Sequence, residues 1–187
     1  NQLTMKLKNK KIAILGTGAN GSCAAADITS AGYDVELFDQ WPDHVNCMNL
    51  DGLTINLPNE TKNIAVRANH LCTLAEMNKK FDYVFLFVKA YDTKWITRLI
   101  EPYLASDGIL VGVQNAMTAE RISNIVGAER TIACVVECSS ELFTPGIIQR
   151  DTPNEKTWFG IGTEKEVMKA RLGEIEEILN AVGNVDI

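Results

Sequence analysis

Histidine is scarce in this chain of 187 residues, and His44 and His70 have no metal-ligand spacing between them. A zinc site therefore lacks its usual donors. Five cysteines are present, Cys23, Cys47, Cys72, Cys134 and Cys138, an odd number with no C-x-x-C pair. That pattern excludes a disulfide scaffold and fits a cytosolic protein with free thiols. No run is long and apolar enough to cross a bilayer, so no membrane partner is expected. Residues 1–11 lack the apolar centre of a secretory signal, and residues 1–10 read as a short polar tail. Basic charge is also short, with 18 Lys and Arg against 24 Asp and Glu. The net charge of −6 repels polyanions and excludes nucleic acid as an expected partner. There is no internal repeat or low-complexity tract.

The remainder is rich enough in apolar residues, at 46%, to bury a core, and residues 11–187 read as one domain. Residues 12–15 form an apolar run that ends at a glycine cluster, which predicts a buried strand. Residues 22–31 are alanine-rich and helical, stopped by Gly32, and residues 35–38 predict the next strand. Strand, helix and strand in about thirty residues make a βαβ unit. Residues 44–50 predict a short helix, with an antiparallel excursion at 53–57 and 64–67. The six apolar residues at 83–88 suit a central parallel strand covered on both faces. A helix at 93–104, a strand at 109–113 and a helix at 118–126 repeat the alternation. Three short strands, 131–136, 146–149 and 156–161, then extend the sheet in mixed orientation. A single long amphipathic helix over 164–181 closes the chain, with Val167, Leu172, Ile175, Ile178 and Leu179 on its apolar side. With no second domain to cover it, that side is expected to stay exposed and to favour self-association. The fold class is thus α/β: a Rossmann-type doubly wound, mainly parallel sheet.

The glycine cluster is Gly16-Thr17-Gly18-Ala19-Asn20-Gly21, a G-x-G-x-x-G pattern. It follows a predicted strand, opens a predicted helix, and is followed eighteen residues later by Asp39 at a strand end. In that context the pattern points to a dinucleotide site. Gly16 makes the turn, Gly18 admits the pyrophosphate, and Gly21 lets the helix pack close to its strand. Amides of the helix N-terminus, from Asn20 and Gly21 onward, would face the phosphates. Asp39 would accept hydrogen bonds from the adenosine ribose, and its charge opposes a 2′-phosphate, so NAD is expected over NADP. Lys89 and Asn115 each follow a predicted strand, on the side where ligands bind in open α/β sheets. Cys23, in the first turn of the phosphate-binding helix, reads as small-residue packing, and His44 as a surface residue near a helix start.

Taken together, GTGANG, VKAYDT at 88–93 and VQNAM at 113–117 resemble the N-terminal domain of the ketopantoate reductase (2-dehydropantoate 2-reductase) family. The later run TPGIIQRDTPNEKTWFGIG is similar to that family's final strands. The resemblance implies that the glycine loop binds the pyrophosphate of NAD or NADP and that Lys89 lies near the adenosine ribose or its phosphate. It implies that Asn115 positions nicotinamide ribose and a 2-keto acid substrate, and that Ser140 lines the cofactor site. Gln40 stands where NADPH-using members carry an arginine, which again favours NAD. Ala116 replaces a family glycine. The family's helical substrate domain, with its proton-donating lysine, has no counterpart among these residues. Three readings stay open here: the cofactor half of a 2-keto acid reductase, the cofactor half of an opine or 3-hydroxyacid dehydrogenase, and an NAD(H)-binding module without catalysis. A homo-oligomer or a separate C-terminal domain would complete the site.

Overall fold

The computed structural model describes residues 1–114 and 117–187, residue 117 by its backbone alone. The chain runs α1 (Gln2–Lys8), β1 (Lys11–Leu15), α2 (Ala19–Ser30), β2 (Asp34–Asp39), α3 (Pro42–Asp51), β3 (Leu53–Asn56), β4 (Thr61–Ile64) and β5 (Ala68–His70). It continues as β6 (Phe81–Leu86), α4 (Thr93–Ile100), β7 (Leu104–Val113), α5 (Met117–Val126), β8 (Thr131–Glu137), β9 (Ser140–Thr144) and β10 (Ile147–Arg150). The last elements are β11 (Trp158–Gly162), α6 (Glu166–Lys169), α7 (Leu172–Leu179) and β12 (Asn184–Asp186).

Among the described residues these strands form an eight-stranded sheet, in the order β12-β11-β8-β7-β6-β1-β2-β5, and a four-stranded sheet, β4-β3-β10-β9. From β5 through β8 every neighbouring pair in the large sheet is parallel, and β11 alone reverses against β8. Both faces are covered. Ile12, Ile14, Tyr83, Phe85 and Val111 belong to one buried layer, Ala13, Leu15, Val84, Leu86 and Leu110 to the other. This is why the central strands read as unbroken apolar runs. The chain leaves β2 on one side of β1 and returns as β6 on the other. The carboxyl ends of β1 and β6 therefore flank the point where strand order reverses. No helix among the described residues is long and apolar enough to cross a membrane.

Several expectations need correction. Residues 2–8 are a helix rather than a tail, capped by the Asn1 side chain, with Leu7 only 1% exposed in the core. The predicted final helix is broken at residues 170–171, where the Arg171 guanidinium donates to the Asp107 carbonyl at the start of β7's buried half. The break turns Val167 out to 70% exposure, while Leu172, Ile175, Ile178 and Leu179 are all buried. The apolar side of α7 is thus covered within the chain, and the argument for self-association from that face falls. Of the three late strands, the middle one does not extend the main sheet: β10 pairs parallel with β3 and antiparallel with β9 in the smaller sheet. The excursion pairs β3 with β4, residues 61–64 rather than 64–67. Pro102 ends α4 early through a 3-10 turn, Glu101–Tyr103, after which β7 begins at Leu104.

Candidate functional site

The glycine loop leaves β1 and crosses directly over the end of β6. Gly16 has φ +91, and a Cβ there would lie 2.5 Å from the Phe87 carbonyl oxygen. Only glycine serves that turn. The crossing is held by the Gly16 N–H donating to the Phe38 carbonyl (2.9 Å) and the Phe87 N–H donating to the Leu15 carbonyl (2.8 Å). At Gly21 a Cβ would fall 2.0 Å from the Gly16 carbonyl oxygen, so that glycine allows α2 to close onto the loop. Gly18 differs: a Cβ there would meet nothing within 4 Å among the described residues. Its open side faces outward at the N-terminus of α2. That terminus has neither a side-chain cap nor an acidic residue in its first turn. Its leading amides and the positive end of the helix dipole are arranged to receive an anion.

Two side chains brace the loop. Asp39, ending β2, accepts from the Thr17 N–H with Oδ1 (2.9 Å) and from the Trp41 N–H with Oδ2 (3.0 Å). The aspartate that the sequence places at the ribose thus also holds the loop's backbone. His44 is fully buried, which corrects the expectation of a surface residue. Its Nδ1 accepts from the Gly146 N–H (2.8 Å), so the ring proton sits on Nε2 and is donated to the Thr17 carbonyl (2.8 Å). Burial lowers the His44 pKa, against a smaller upward pull from Asp39. The Ser22 hydroxyl donates to the same Thr17 carbonyl at 2.9 Å. His44 therefore ties the glycine loop to the β9–β10 turn. Nothing in the pattern WPDHV foretold this, because the partner Gly146 lies 102 residues away. Trp41, at 38% exposure, stacks obliquely on the His44 ring at 5.8 Å between centroids.

The cleft in front of the loop measures about 440 Å³. Gly16, Gly18, Ala19, Asn20, Gly21, Asp39, Gln40, Lys89 and Ser140 all line it, together with Phe87, Val88, Asp92, Val113 and Val136. Of the residues singled out from sequence, Thr17 is buried and not in the lining, and Asn115 and its neighbour Ala116 lie outside the described residues. Ser140 reaches the site through its side chain, its hydroxyl donating to Asn20 Oδ1 at 2.5 Å. This bond joins the far wall of the cleft to the first turn of α2. Two residues to which the sequence assigned no role sit behind the lining residues Val88 and Val113. Gln114 donates to the Val88 carbonyl and accepts from the Thr93 hydroxyl at 2.8 Å, locking the end of β7 against the end of β6. Both belong to the runs that carry the resemblance, Thr93 to VKAYDT and Gln114 to VQNAM, but no role was read for either.

Comparison with known proteins places this architecture. Residues 12–164 match the family described as Ketopantoate reductase PanE/ApbA. A 2-dehydropantoate 2-reductase of Lactococcus lactis is 31% identical over 96 residues, covering 50% of this chain and 30% of that protein. An Enterococcus faecalis structure provisionally assigned as a 2-dehydropantoate 2-reductase superposes with a TM-score of 0.85 at 21% identity. D-mandelate dehydrogenase in complex with NADH and anilino(oxo)acetate superposes with a TM-score of 0.84, also at 21% identity. Each superposition covers 94% of this chain and 56% of the other, so the chain spans little more than half the length of its structural relatives. At such identities the superpositions establish the fold. The family match extends from β1, ahead of the glycine loop, through β11, and on that ground the chain belongs to the ketopantoate reductase PanE/ApbA family.

Proposed function

We propose that the chain is the dinucleotide-binding part of an NAD(P)H-dependent oxidoreductase that reduces a 2-keto acid of the 2-dehydropantoate type to a 2-hydroxy acid. The observation that carries this reading is the cleft at the β1–β6 reversal, with the open side of Gly18 before an uncapped helix N-terminus. Amides of Ala19, Asn20 and Gly21 would hold the pyrophosphate there, where charge and hydrogen-bond direction both suit it. The dinucleotide, when bound, supplies hydride from its nicotinamide. Asn115 would position the nicotinamide ribose and the keto acid, as the resemblance implies, and Ser140 would line the cofactor site. The resemblance matches no proton donor to any residue here, so we assign no general acid to this chain. The greater length of the matched proteins supports a helical substrate domain as its source.

Cofactor choice follows from the opposite end. Asp39 keeps its Oδ atoms on two backbone amides, leaving further lone pairs for ribose hydroxyls, while its charge opposes a 2′-phosphate. Gln40 beside it brings no compensating cation, and Lys89 is the cation among the described residues that line the cleft. NADH should therefore bind more tightly than NADPH. Calorimetric titration of both decides the point: tighter NADPH binding overturns the assignment to Asp39 and makes Lys89 the phosphate ligand. The likeness to D-mandelate dehydrogenase favours a second substrate reading, an aryl 2-keto acid. Assay of the full-length protein with both substrate classes separates the two.

A further inference from the structure

The second residue of the glycine loop is gripped from beneath by side chains that do not line the cleft. Thr17, Ser22 and His44 are each 0% exposed. The Thr17 carbonyl accepts from His44 Nε2 at 2.8 Å and from the Ser22 hydroxyl at 2.9 Å. The Thr17 N–H is held in turn by Asp39 Oδ1 at 2.9 Å. Both backbone polar groups of this residue are therefore fixed, by side chains from β2, α2 and α3.

The direction of the next amide follows. The peptide bonds among the described residues are trans, and a trans peptide points its C=O and N–H to opposite sides of one plane. The Thr17 carbonyl and the Gly18 N–H share such a plane. With the carbonyl drawn onto His44 and Ser22, the Gly18 N–H is aimed away from the buried side of the loop. It has no acceptor among the described residues, although Gly18 lines the cleft. The Gly18 carbonyl is already used, accepting from the Ser22 N–H at 3.0 Å as the first bond of α2. The Gly18 N–H is thus the leading unpaired donor of that helix end.

His44 performs this task in one tautomer only. Its Nδ1 accepts from the Gly146 N–H at 2.8 Å, which leaves the ring proton on Nε2 for Thr17. The other tautomer would set a lone pair against the Thr17 carbonyl and an N–H against the Gly146 N–H. Gly146 itself has φ +77, so the turn that presents this donor favours glycine. We propose that His44 is a positioning residue for dinucleotide binding: by holding the Thr17 carbonyl it directs the Gly18 N–H at a pyrophosphate oxygen. The proposal rests on the dinucleotide reading of the cleft. Ser22 shares the carbonyl, and Gly146 selects the tautomer. A donor aimed before the ligand arrives makes its charge-assisted bond without reorganising the loop.

Two substitutions separate the ends of the imidazole. In His44→Gln the amide nitrogen falls near the place of Nε2 and still donates to Thr17, while Gly146 loses its acceptor. In His44→Asn the amide oxygen falls near Nδ1 and serves Gly146, while Thr17 loses its donor. Both variants should melt at lower temperature, since each breaks one buried hydrogen bond. NADH titration of the folded variants should show His44→Asn binding about tenfold more weakly, the scale of one hydrogen bond to a charged group. His44→Gln, the conservative variant, should recover most of that loss. ADP, which carries the pyrophosphate without the nicotinamide, should follow the same order by calorimetry. Equal affinities in the two folded variants overturn the role of His44 and leave the dinucleotide reading standing. Failure of the unsubstituted chain to bind NADH or NADPH overturns both. If neither variant folds, Ser22→Ala decides in their place, because it removes one donor from the same carbonyl. A loss of about threefold is expected there, and unchanged NADH affinity overturns the proposal.

Discussion

Gly18 and His44 show two ways in which one residue sets the site. A methyl at Gly18 meets no neighbour, and the backbone there has φ −67, which any residue adopts. Gly18→Ala should therefore leave thermal stability nearly unchanged. The same methyl would fill the space proposed for the pyrophosphate, and dinucleotide affinity should fall about tenfold or more, roughly 1.4 kcal/mol. Equal affinities in a fluorescence titration would move the phosphates elsewhere. His44 acts from beneath. Its folded pKa is lowered from the usual value, so the neutral ring bridges Thr17 and Gly146. Well above about pH 6.5 neither folded nor unfolded chain protonates it appreciably, and its contribution is complete. As pH falls through 6.5 the unfolded chain takes up a proton that the folded chain refuses. Stability then declines towards the lowered folded pKa, by at most about 1.4 kcal/mol per pH unit. Urea unfolding between pH 7.5 and 5 should show this slope, and it should shrink in His44→Gln. An unchanged slope in that variant would assign the pH dependence to other groups.

At the scale of elements, α1 and α7 answer one another. Leu7 from α1 and Ile175, Ile178 and Leu179 from α7 belong to the same buried layer of the sheet. Thr4 of α1 also donates to Glu177 Oε1 at 2.5 Å. Ile178→Ala should cost about 2–5 kcal/mol, the range for large-to-small changes in a closed core. A loss well under 1 kcal/mol in chemical denaturation would show that α7 is only loosely seated. Element by element, the βαβ unit and the central strands were legible because β1 runs into a glycine loop and the others are apolar runs of strand length. The small sheet was not. Its strands β3 and β10 are more than ninety residues apart in the chain, and local alternation carries no information about such a partner. The polar N-terminal helix misled for a related reason: a single apolar contact, Leu7, anchors it, too weak a pattern to see in sequence.

For the whole molecule, the proposed reading separates binding from turnover. The 187-residue chain should bind NADH yet reduce 2-dehydropantoate only at trace rates, because hydride transfer to a ketone also needs a placed proton donor. A coupled absorbance assay measures this directly. Robust turnover would show that a donor within the chain had been missed, with Lys89 the first residue to replace.

The glycine loop, Asp39 and the covered parallel sheet were determined by sequence alone. Each rests on local rules: residues with positive φ, a helix N-terminus after a strand, and apolar runs of strand length. Membership of the cleft was readable for Lys89 and Gln40 for the same reason, since Gln40 follows β2 directly and Lys89 comes three residues after β6. Tertiary structure alone decided that Asp39 braces Thr17, that His44 is buried and that Ser140 meets Asn20. Ser140 to Asn20 and His44 to Gly146 join residues more than a hundred positions apart, and His44 and Asp39 reach back over twenty to the loop. A hydrogen bond depends on where two backbones converge in space, and the register of distant strands settles that only when the sheet is complete.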